Sequence, residues 1–275
     1  MVSQGALGII AGNGIYPLLV AKAARRQGVP AIHVAAFENE TDPEIRSLAD
    51  SLEWLRVGQL GKLLGYLSSA GVKRAIMAGQ LAPKNLFDLR PDLRALILLS
   101  RLPERNAESL FGAVAAELAA AGIELLPAYT FLEDALAPEG LIAGPKPKRR
   151  LLDDARYGFR IAKEIARLDI GQTVVVRNGT VLAVEAFEGT NEAMQRGGAL
   201  GRGNAVVVKV SKPNQDLRFD VPVIGVKTFE AAAQAGVRLI AVEAGLTLLL
   251  DQAAVHTAAN RAGISLCGLK RLENE

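Results

Sequence analysis

The chain opens on a strand, a turn and a helix. Leu7 to Ala11 is an uninterrupted apolar run, which is typical of a strand buried on both faces of a sheet. Gly12-Asn13-Gly14 follows as a turn, and apolar positions then recur at helical spacing from Tyr16 to Gln27. Gly28 ends that helix, and Val29 to Phe37 predicts a second buried strand. The pattern predicts a β-α-β unit with its loops at the carboxyl ends of the strands.

The same pattern repeats more weakly through the first half of the chain. Gly61 to Ala70 predicts a helix, and Ala75 to Ala78 predicts a strand that ends at Gly79-Gln80. Two further helices and a strand are predicted at 92–99, 107–121 and 123–126. Because strands and helices alternate, the first half is expected to be a Rossmann-like, doubly wound parallel sheet.

A stretch rich in proline and glycine separates the two halves. Residues 137–150 contain three prolines and two glycines and have no sustained period, which predicts an interdomain linker. The domains would then be a Rossmann-like N-terminal domain of residues 1–136 and a C-terminal catalytic domain of residues 151–275.

The second half predicts a mixed α/β domain. Asp153 or Asp154 is expected to cap a helix that ends near Asp169. Two β-branched runs flank Asn178-Gly179, a strong signal for a hairpin. The remaining predicted strands and helices lie at 205–210, 223–226, 228–235, 237–242, 245–250 and 251–262.

Composition limits the function classes. The 275 residues are half apolar, enough for two cores, and 32 basic against 29 acidic residues, evenly mixed, argue against a nucleic-acid partner. With Cys267 as the single cysteine and only two histidines, neither a disulfide nor a Cys/His metal cluster can form within the chain. Any bound metal is therefore expected to have mainly oxygen ligands.

The sequence predicts a cytoplasmic location. Residues 6–11 lack the basic region of a secretory signal, and Leu239 to Leu250 carries Glu243 and is shorter than the ~20 residues that a membrane span requires. The basic run from Lys146 to Arg150 favours a solvated linker over an anion or lipid-headgroup contact.

Two strand ends in the first half are candidate ligand loops. Gly12-Asn13-Gly14 lies where backbone amides and a helix N-terminus could hold a phosphate. The dinucleotide fingerprint is incomplete because Pro17 stands where the third glycine would fall, so a tight structural turn is the alternative. Glu38 could bind a ribose hydroxyl, but a solvated carboxylate is favoured.

The second half holds the candidate chemistry. Residues 185–192 combine carboxylates, among them Glu185 and Glu188, with the permissive Gly189 and the hydroxyl of Thr190 in one turn, which suits a divalent metal or a pyrophosphate. Lys209 and Lys212 could face a phosphate oxygen. Asp220 could hold a metal or accept a proton from water. For each of these, the alternative is an ordinary solvated loop residue.

Three segments, Ile165 to Gln172, Val181 to Thr190 and Asp220 to Gly225, resemble the LpxI family of UDP-2,3-diacylglucosamine pyrophosphatases. Leu7 to Gly14 and Ala78 to Gln80 are similar to that family's first domain. The resemblance covers nearly the whole chain.

The resemblance implies that water attacks the α-phosphorus of UDP-2,3-diacylglucosamine, releasing UMP and 2,3-diacylglucosamine 1-phosphate in lipid A biosynthesis. It also implies a magnesium or manganese ion. Asp220 would be the essential carboxylate, as metal ligand or as the group that orients water, with Glu188 as second ligand and Lys209 at the α-phosphate. The substrate would be bound by Gly12, Asn13, Gly14, Gly79, Gln80, Asp169, Gln172, Gly189 and Thr190.

The chain departs from the family pattern at one position, and two other functions also fit its residues. The chain has Asn191 where the family usually carries Asp, so that position is given no role. The opening β-α-β unit also suits a dinucleotide-dependent oxidoreductase, and the same cleft suits a non-catalytic UDP-sugar-binding regulator. Because the substrate is an amphiphile, transient contact with the inner membrane is expected, and with such a substrate the run Lys146 to Arg150 becomes a candidate for it; a homodimer is left open.

Overall fold

The protein is described by a computed structural model over residues 5–81, 91–102, 107–213 and 215–270. It divides into two compact units. The first is Met1–Glu133 with Asp216–Asp220, and the second is Asp134–Gln215 with Val221–Glu275. The first has a parallel sheet and the second a mixed one, so the predicted fold class is confirmed. Within the described ranges, no helix is long and apolar enough to cross a membrane.

The first unit is a parallel sheet flanked by helices. Its strands and helices are β1 (Leu7–Ala11), α1 (Tyr16–Arg26), β2 (Ile32–Phe37), β3 (Ser51–Leu55), α2 (Leu60–Ser69), β4 (Arg74–Ala78), α3 (Leu93–Arg101), α4 (Ala107–Ala120) and β5 (Glu124–Leu125). The strand order is β3-β2-β1-β4-β5, and every pairing is parallel. The order reverses between β1 and β4, where a crevice forms in sheets of this type.

Strand β3 is an element that the sequence pattern did not predict. Its residues Ser51-Leu-Glu-Trp-Leu55 alternate polar and apolar, and only Leu55 is fully buried. The strand pairs with β2 at the edge of the sheet, where one side is open to solvent. Because the strand contains no continuous apolar run, the hydrophobic pattern did not predict it.

The second unit is built on a six-stranded sheet. Its elements are β6 (Gly140–Ala143), α5 (Arg149–Arg167), β7 (Thr173–Arg177), β8 (Thr180–Val184), α6 (Thr190–Gly201), β9 (Ala205–Lys209), β10 (Val223–Ile224), α7 (Val226–Gln234), β11 (Val237–Glu243), β12 (Leu248–Leu249), α8 (Gln252–Ala262) and β13 (Ser265–Leu269). The order is β6-β13-β11-β9-β7-β8, in which β9, β11 and β13 are parallel. Strands β10 and β12 form a small parallel pair.

Alternate residues of the central strands divide between two cores. Val174 and Val176 pack with α5 on one face, while Val175 packs with α6 and α7 on the other. Successive side chains of a strand point to opposite faces, so a run of valines can fill both layers. The second unit is therefore a helix–sheet–helix sandwich.

Two features of the second unit differ from the sequence-based expectation. Gly140–Ala143, within the stretch predicted as a linker, pairs antiparallel with β13 and closes the sheet edge. The predicted cap of α5 is wrong, because the helix begins at Arg149. Asp154 lies buried in that helix, and its carboxylate accepts the amides of Asn178 and Gly179 at 2.8 Å each. It thereby supports the predicted hairpin turn, which is confirmed.

Helix α6, also missed, is pressed closely against the sheet. A Cβ atom added at Gly197 would lie 2.5 Å from the Cβ of Val175, and one at Gly198 would lie 2.1 Å from the carbonyl oxygen of Ala235. Only glycine allows such an approach. The glycines that lower the helix propensity of this segment are the residues that allow it to pack.

We predict that Gly197→Ala loosens the second unit. The added methyl must displace Val175, at a cost of about 1–3 kcal/mol. Cys267 in β13 reports the loss, because burial raises the pKa of its thiol to about 11 and shields it from reagent. Iodoacetamide labelling at neutral pH then requires opening of this unit, and should become roughly 5- to 100-fold faster in the variant.

The matched control is Gly65→Ala in helix α2 of the first unit. A Cβ atom there would meet nothing within 4 Å, and alanine favours a helix over glycine by roughly 0.5–1 kcal/mol. Labelling of Cys267 should be unchanged in this variant. Equal labelling rates for Gly197→Ala and the wild type would contradict the packing argument.

Candidate functional site

Most of the candidate residues of the second half collect at one edge of its sheet. Strands β8, β9 and β11 end there and β7 begins there, as the pairing of Thr173 with Lys209 and the 2.8 Å bond from the Glu185 amide to the Thr173 carbonyl oxygen require. We call this the carboxyl edge, formed by residues 169–172, 185–190, 209–213, 215 and 243–247. It brings together six residues predicted from the sequence, Asp169, Gln172, Glu188, Gly189, Thr190 and Lys209.

Glu185 organises the start of helix α6. Its Oε1 accepts the hydroxyl of Thr190 at 2.7 Å, and its Oε2 accepts the amide of Gln172 at 3.4 Å. The hydroxyls of Thr190 and Thr173 lie 3.5 Å apart. Glu185 is buried, whereas Glu188 of the same loop lies closer to solvent. Both carboxylates belong to the loop that the sequence predicts as a site, but nothing in the sequence indicates which of the two is buried.

Glu188 is engaged by protein partners. Its Oε1 lies 2.5 Å from the Nη2 of Arg196, and its Oε2 accepts the amide of Ala186 at 3.1 Å. A hydrogen bond from its own amide, followed by that from Arg196, lowers the pKa of the Glu188 carboxyl. Gly189 continues the turn with a φ of 88°, a conformation that favours glycine. As arranged, Glu188 is paired with Arg196 and caps the loop, and its role as a metal ligand stays a prediction.

A buried ion pair fixes the loop after β9. Lys163 of α5 lies 3.0 Å from both carboxylate oxygens of Glu243, and its ammonium also donates to the carbonyl oxygen of Ser211 at 2.9 Å. The amide of Ser211 donates to Glu243 at 2.8 Å. Both backbone groups of Ser211 are therefore held by the pair. Neither Lys163 nor Glu243 was a candidate from the sequence, because only the fold brings them together.

Three buried polar atoms near this loop have no hydrogen-bond partner within the described part of the chain. They are Oε1 of Gln172, Oγ of Ser211 and Nε2 of Gln215. The amide of Val210 donates to the carbonyl oxygen of Gln172, so the segments that carry these atoms adjoin. Buried polar groups are costly when unpaired. The carboxyl edge thus has polar groups available to a ligand, of which only Gln172 was predicted.

Two lysines border the same region. Lys212 forms an ion pair with Asp169, which has a positive φ of 56° in the turn between α5 and β7. Lys209 ends β9 opposite Thr173. Cations beside neutral hydrogen-bonding groups suit a phosphate or pyrophosphate.

In the first unit, the turns after β1 and β4 bind each other. The amide of Gly12 donates to Ala78 at 2.8 Å, and the amide of Asn13 donates to Gln80 at 2.7 Å. A Cβ atom at Gly12 would lie 2.8 Å from the Gln80 oxygen, and one at Gly79 would lie 2.7 Å from the Asn13 oxygen. Two of the amides that were expected to face a phosphate are thus occupied by protein. Gly14, with a φ of 91° and open space beside it, lies beyond this pairing.

The loop after β2 is also stabilised within the first unit. Glu38, the alternative ribose ligand, lies 3.3 Å from Arg56, and both side chains are exposed. The hydroxyl of buried Thr41 donates to the carbonyl oxygen of Ala11 and accepts the amide of Phe37. These contacts hold the end of β1 against the end of β2.

Asp220 is positioned by the short segment Asp216–Asp220 of the first unit. The carbonyl oxygen of Leu217 accepts the amide of Ala128 at 2.8 Å, and the ring of Phe219 lies 5.8 Å from that of Phe111. A side-chain hydrogen bond from Arg218 lowers the pKa of Asp216, whose carbonyl oxygen accepts the amide of Asp220 at 3.0 Å. Asp220 thus follows directly on a residue packed against the first unit.

The predicted metal can be tested against these donors. Over the residues that the structure describes, no three His, Cys, Asp or Glu side chains form a group able to hold a metal ion. Asp220 and Glu188 belong to different units, and Glu188 is already paired with Arg196. Magnesium, however, commonly uses one or two carboxylates together with substrate phosphates and water. In that mode, Asp220 and Glu188 stay the predicted carboxylate ligands.

Comparison with known proteins covers both units. Residues 6–135 match the LpxI N-terminal domain, and residues 138–267 match the LpxI C-terminal domain. The UDP-2,3-diacylglucosamine pyrophosphatase LpxI of Caulobacter vibrioides is 33% identical over 274 residues, which cover 96% of this chain and 97% of that relative.

We predict that Lys163→Met destabilises the protein by about 3 kcal/mol, because it leaves the Glu243 carboxylate buried without its cation. Adding Glu243→Gln should recover most of this loss, since the amide oxygen still accepts the Ser211 amide. Denaturant unfolding of the single and double variants measures the difference.

Lys22→Met provides the control for that cycle. Lys22 forms an exposed ion pair with Glu44, and loss of such a pair costs at most about 1 kcal/mol. If the Lys163 and Lys22 variants lose the same stability, the buried pair does not hold the loop.

Proposed function

This chain belongs to the LpxI family, and from that membership we propose that it hydrolyses UDP-2,3-diacylglucosamine to UMP and 2,3-diacylglucosamine 1-phosphate. The observation that carries the assignment is the match of both LpxI domains, in order, along the chain. The product is a diacylated sugar phosphate, which places the reaction in lipid A biosynthesis. The alternatives of a dinucleotide-dependent oxidoreductase and of a non-catalytic regulator gain no support.

The reaction joins the oxygen of water to the α-phosphorus and breaks the bond from that phosphorus to the oxygen that bridges to the β-phosphorus. The bridging oxygen leaves with the β-phosphate on the sugar, and the attacking water loses a proton. Negative charge grows on the α-phosphate and on the leaving oxygen. The protein must therefore supply positive charge there, and a group that orients the water.

We assign these tasks to specific residues. Asp220 is proposed as the carboxylate that orients the attacking water, as the family resemblance implies. Lys209 is proposed to stabilise charge on the α-phosphate. Gln172 is proposed to bind the substrate, which its unpaired buried Oε1 supports. Asp169 and Thr190 would act through the groups they hold, Lys212 and Glu185.

The remaining substrate contacts are proposed in the turns described above. Gly12, Asn13, Gly14, Gly79 and Gln80 are proposed to contact part of the nucleotide. Positions 13, 14 and 80 are exposed and suit that role. The backbone amides of Gly12 and Asn13 suit it less, because each already donates to a carbonyl oxygen of the protein. Gly189 is proposed to let the backbone turn at the start of α6, where its positive φ supports close approach of a ligand.

We further propose that magnesium or manganese supports the reaction. The substrate carries a pyrophosphate, and a divalent cation neutralises the charge that develops on it. Asp220 would be its protein ligand, together with phosphate oxygens and water. Glu188 is proposed as the second ligand, and it would then exchange its ion pair with Arg196 for the metal.

The physical setting is also proposed. The substrate's sugar carries two acyl chains and its nucleotide is polar, so we propose that the protein works in the cytoplasm and contacts the inner membrane transiently. A homodimer is the oligomeric state to test, by sedimentation of the purified protein.

We predict that the protein releases UMP from UDP-2,3-diacylglucosamine and that Asp220→Asn lowers kcat by about 100- to 10,000-fold, the range for loss of a group that assists proton transfer. Chelation by EDTA should stop the wild-type reaction, and added magnesium should restore it. Product formation is followed by chromatography of UMP.

Asp153→Asn serves as the control, because Asp153 is an exposed carboxylate on α5 with only surface ion pairs. Its activity should equal that of the wild type. Unimpaired hydrolysis by folded Asp220→Asn would remove Asp220 from the mechanism. Binding of UDP-sugars by the wild type without release of UMP would overturn the proposed function.

A further inference from the structure

Three large apolar side chains lie exposed at the carboxyl edge. Phe187 is 90% exposed, Leu168 58% and Ile170 49%. Burying a side chain of this size is worth roughly 1.5–3 kcal/mol, so leaving all three in water forgoes a substantial stabilisation. Single exposed apolar residues are common, but three on adjoining loops indicate a contact surface.

These residues lie on two loops that touch. The α-carbon of Gly171 approaches the loop after β8 so closely that a Cβ atom there would lie 2.0 Å from the carbonyl oxygen of Glu185. Ile170 directly precedes Gly171, and Phe187 follows Glu185 by two residues. The two segments that carry Leu168, Ile170 and Phe187 therefore adjoin, and we call these three residues the apolar rim.

The charged groups beside the apolar rim are paired. Besides Lys209, three basic side chains lie nearby, and each has an acidic partner: Arg167 with Glu164, Arg196 with Glu188, and Lys212 with Asp169. Their charges cancel locally. Attraction of the rim to another surface should therefore come from apolar burial rather than from a net positive field.

We propose that the apolar rim is the surface through which the protein docks on the lipid bilayer that holds its substrate. The proposal rests on the proposed function, since a diacylated substrate must be drawn from a membrane. The rim borders the polar groups assigned to the substrate, Gln172, Thr190 and Lys209, and shares their edge of the sheet. Inserting Phe187 and its neighbours into the headgroup region would place these groups at the level of the pyrophosphate.

This assignment differs from the contact expected through Lys146 to Arg150. The basic run adjoins the N-terminus of α5, whereas Leu168 and Ile170 directly follow its C-terminus. A helix of 19 residues is ~28 Å long, so the two surfaces are at opposite ends of it. Docking through the basic run would be weakened by salt, and docking through the rim would not.

The test is binding of the full-length protein to vesicles without substrate, measured by flotation. One set of vesicles is phosphatidylcholine and another also contains phosphatidylglycerol. Phe187→Ser should lower the vesicle-bound fraction roughly tenfold in both sets, and binding of the wild type should change little with added salt. Leu200→Ser is the matched control: Leu200 is 60% exposed near the C-terminus of α6, the end away from the carboxyl edge, and its loss should leave binding unchanged.

Turnover separates this proposal from the proposed function. With substrate dispersed in detergent micelles, Phe187→Ser should release UMP at the wild-type rate, whereas with substrate in vesicles it should be slower. If neither the wild type nor any variant releases UMP, the proposed function is wrong, but the vesicle-binding result still tests the docking surface. Equal vesicle binding by the wild type and Phe187→Ser, binding abolished by salt, or loss of a dimer instead of vesicle binding would each overturn the docking surface.

Discussion

The ion pair between Lys163 and Glu243 is the interaction on which the carboxyl edge depends. It joins helix α5 to the end of β11 and satisfies both backbone groups of Ser211 in the loop after β9. A buried pair of this kind specifies an arrangement more than it adds stability, because desolvation offsets much of the attraction. Its effect is to hold Lys209 and Lys212 on a fixed backbone. Lys163 and Glu243, which are not among the proposed substrate contacts, thus preorganise the positive charge that phosphoryl chemistry requires.

The sequence predicted what depends on local pattern. The apolar runs of β1, β2 and β4, the hairpin at Asn178-Gly179 and the ends of α1 follow from hydrophobic periodicity and glycine, and the structure confirms them. The pattern failed at β3, where edge exposure breaks the apolar run, and at α6, where glycines that permit close packing resemble a loop. In both, tertiary contacts override local preference.

The same distinction between local pattern and tertiary contact applies to the residues of the candidate site. The fold brings Gln172, a candidate only through the family resemblance, beside Thr190 and Lys209, which the sequence pattern had placed in the acidic loop and at the neighbouring strand end. The sequence predicted the loop that carries Glu185 and Glu188 but not which of the two is buried, since burial and partner choice are decided by the fold. Lys163 and Glu243, 80 residues apart in the chain, could not be linked by any local pattern. The role proposed for Asp220 comes from the family resemblance.

The return of Asp216–Asp220 to the first unit constrains how this protein can be divided. These five residues pack Phe219 on Phe111 although the chain on either side belongs to the second unit. A fragment that stops at Glu133 would lack both that ring and Asp220. The two units are therefore not separable stretches of sequence. Joining this chain to another at a single point after Glu133 would leave the first unit without Asp216–Asp220, and joining it after Asp220 would divide the second unit.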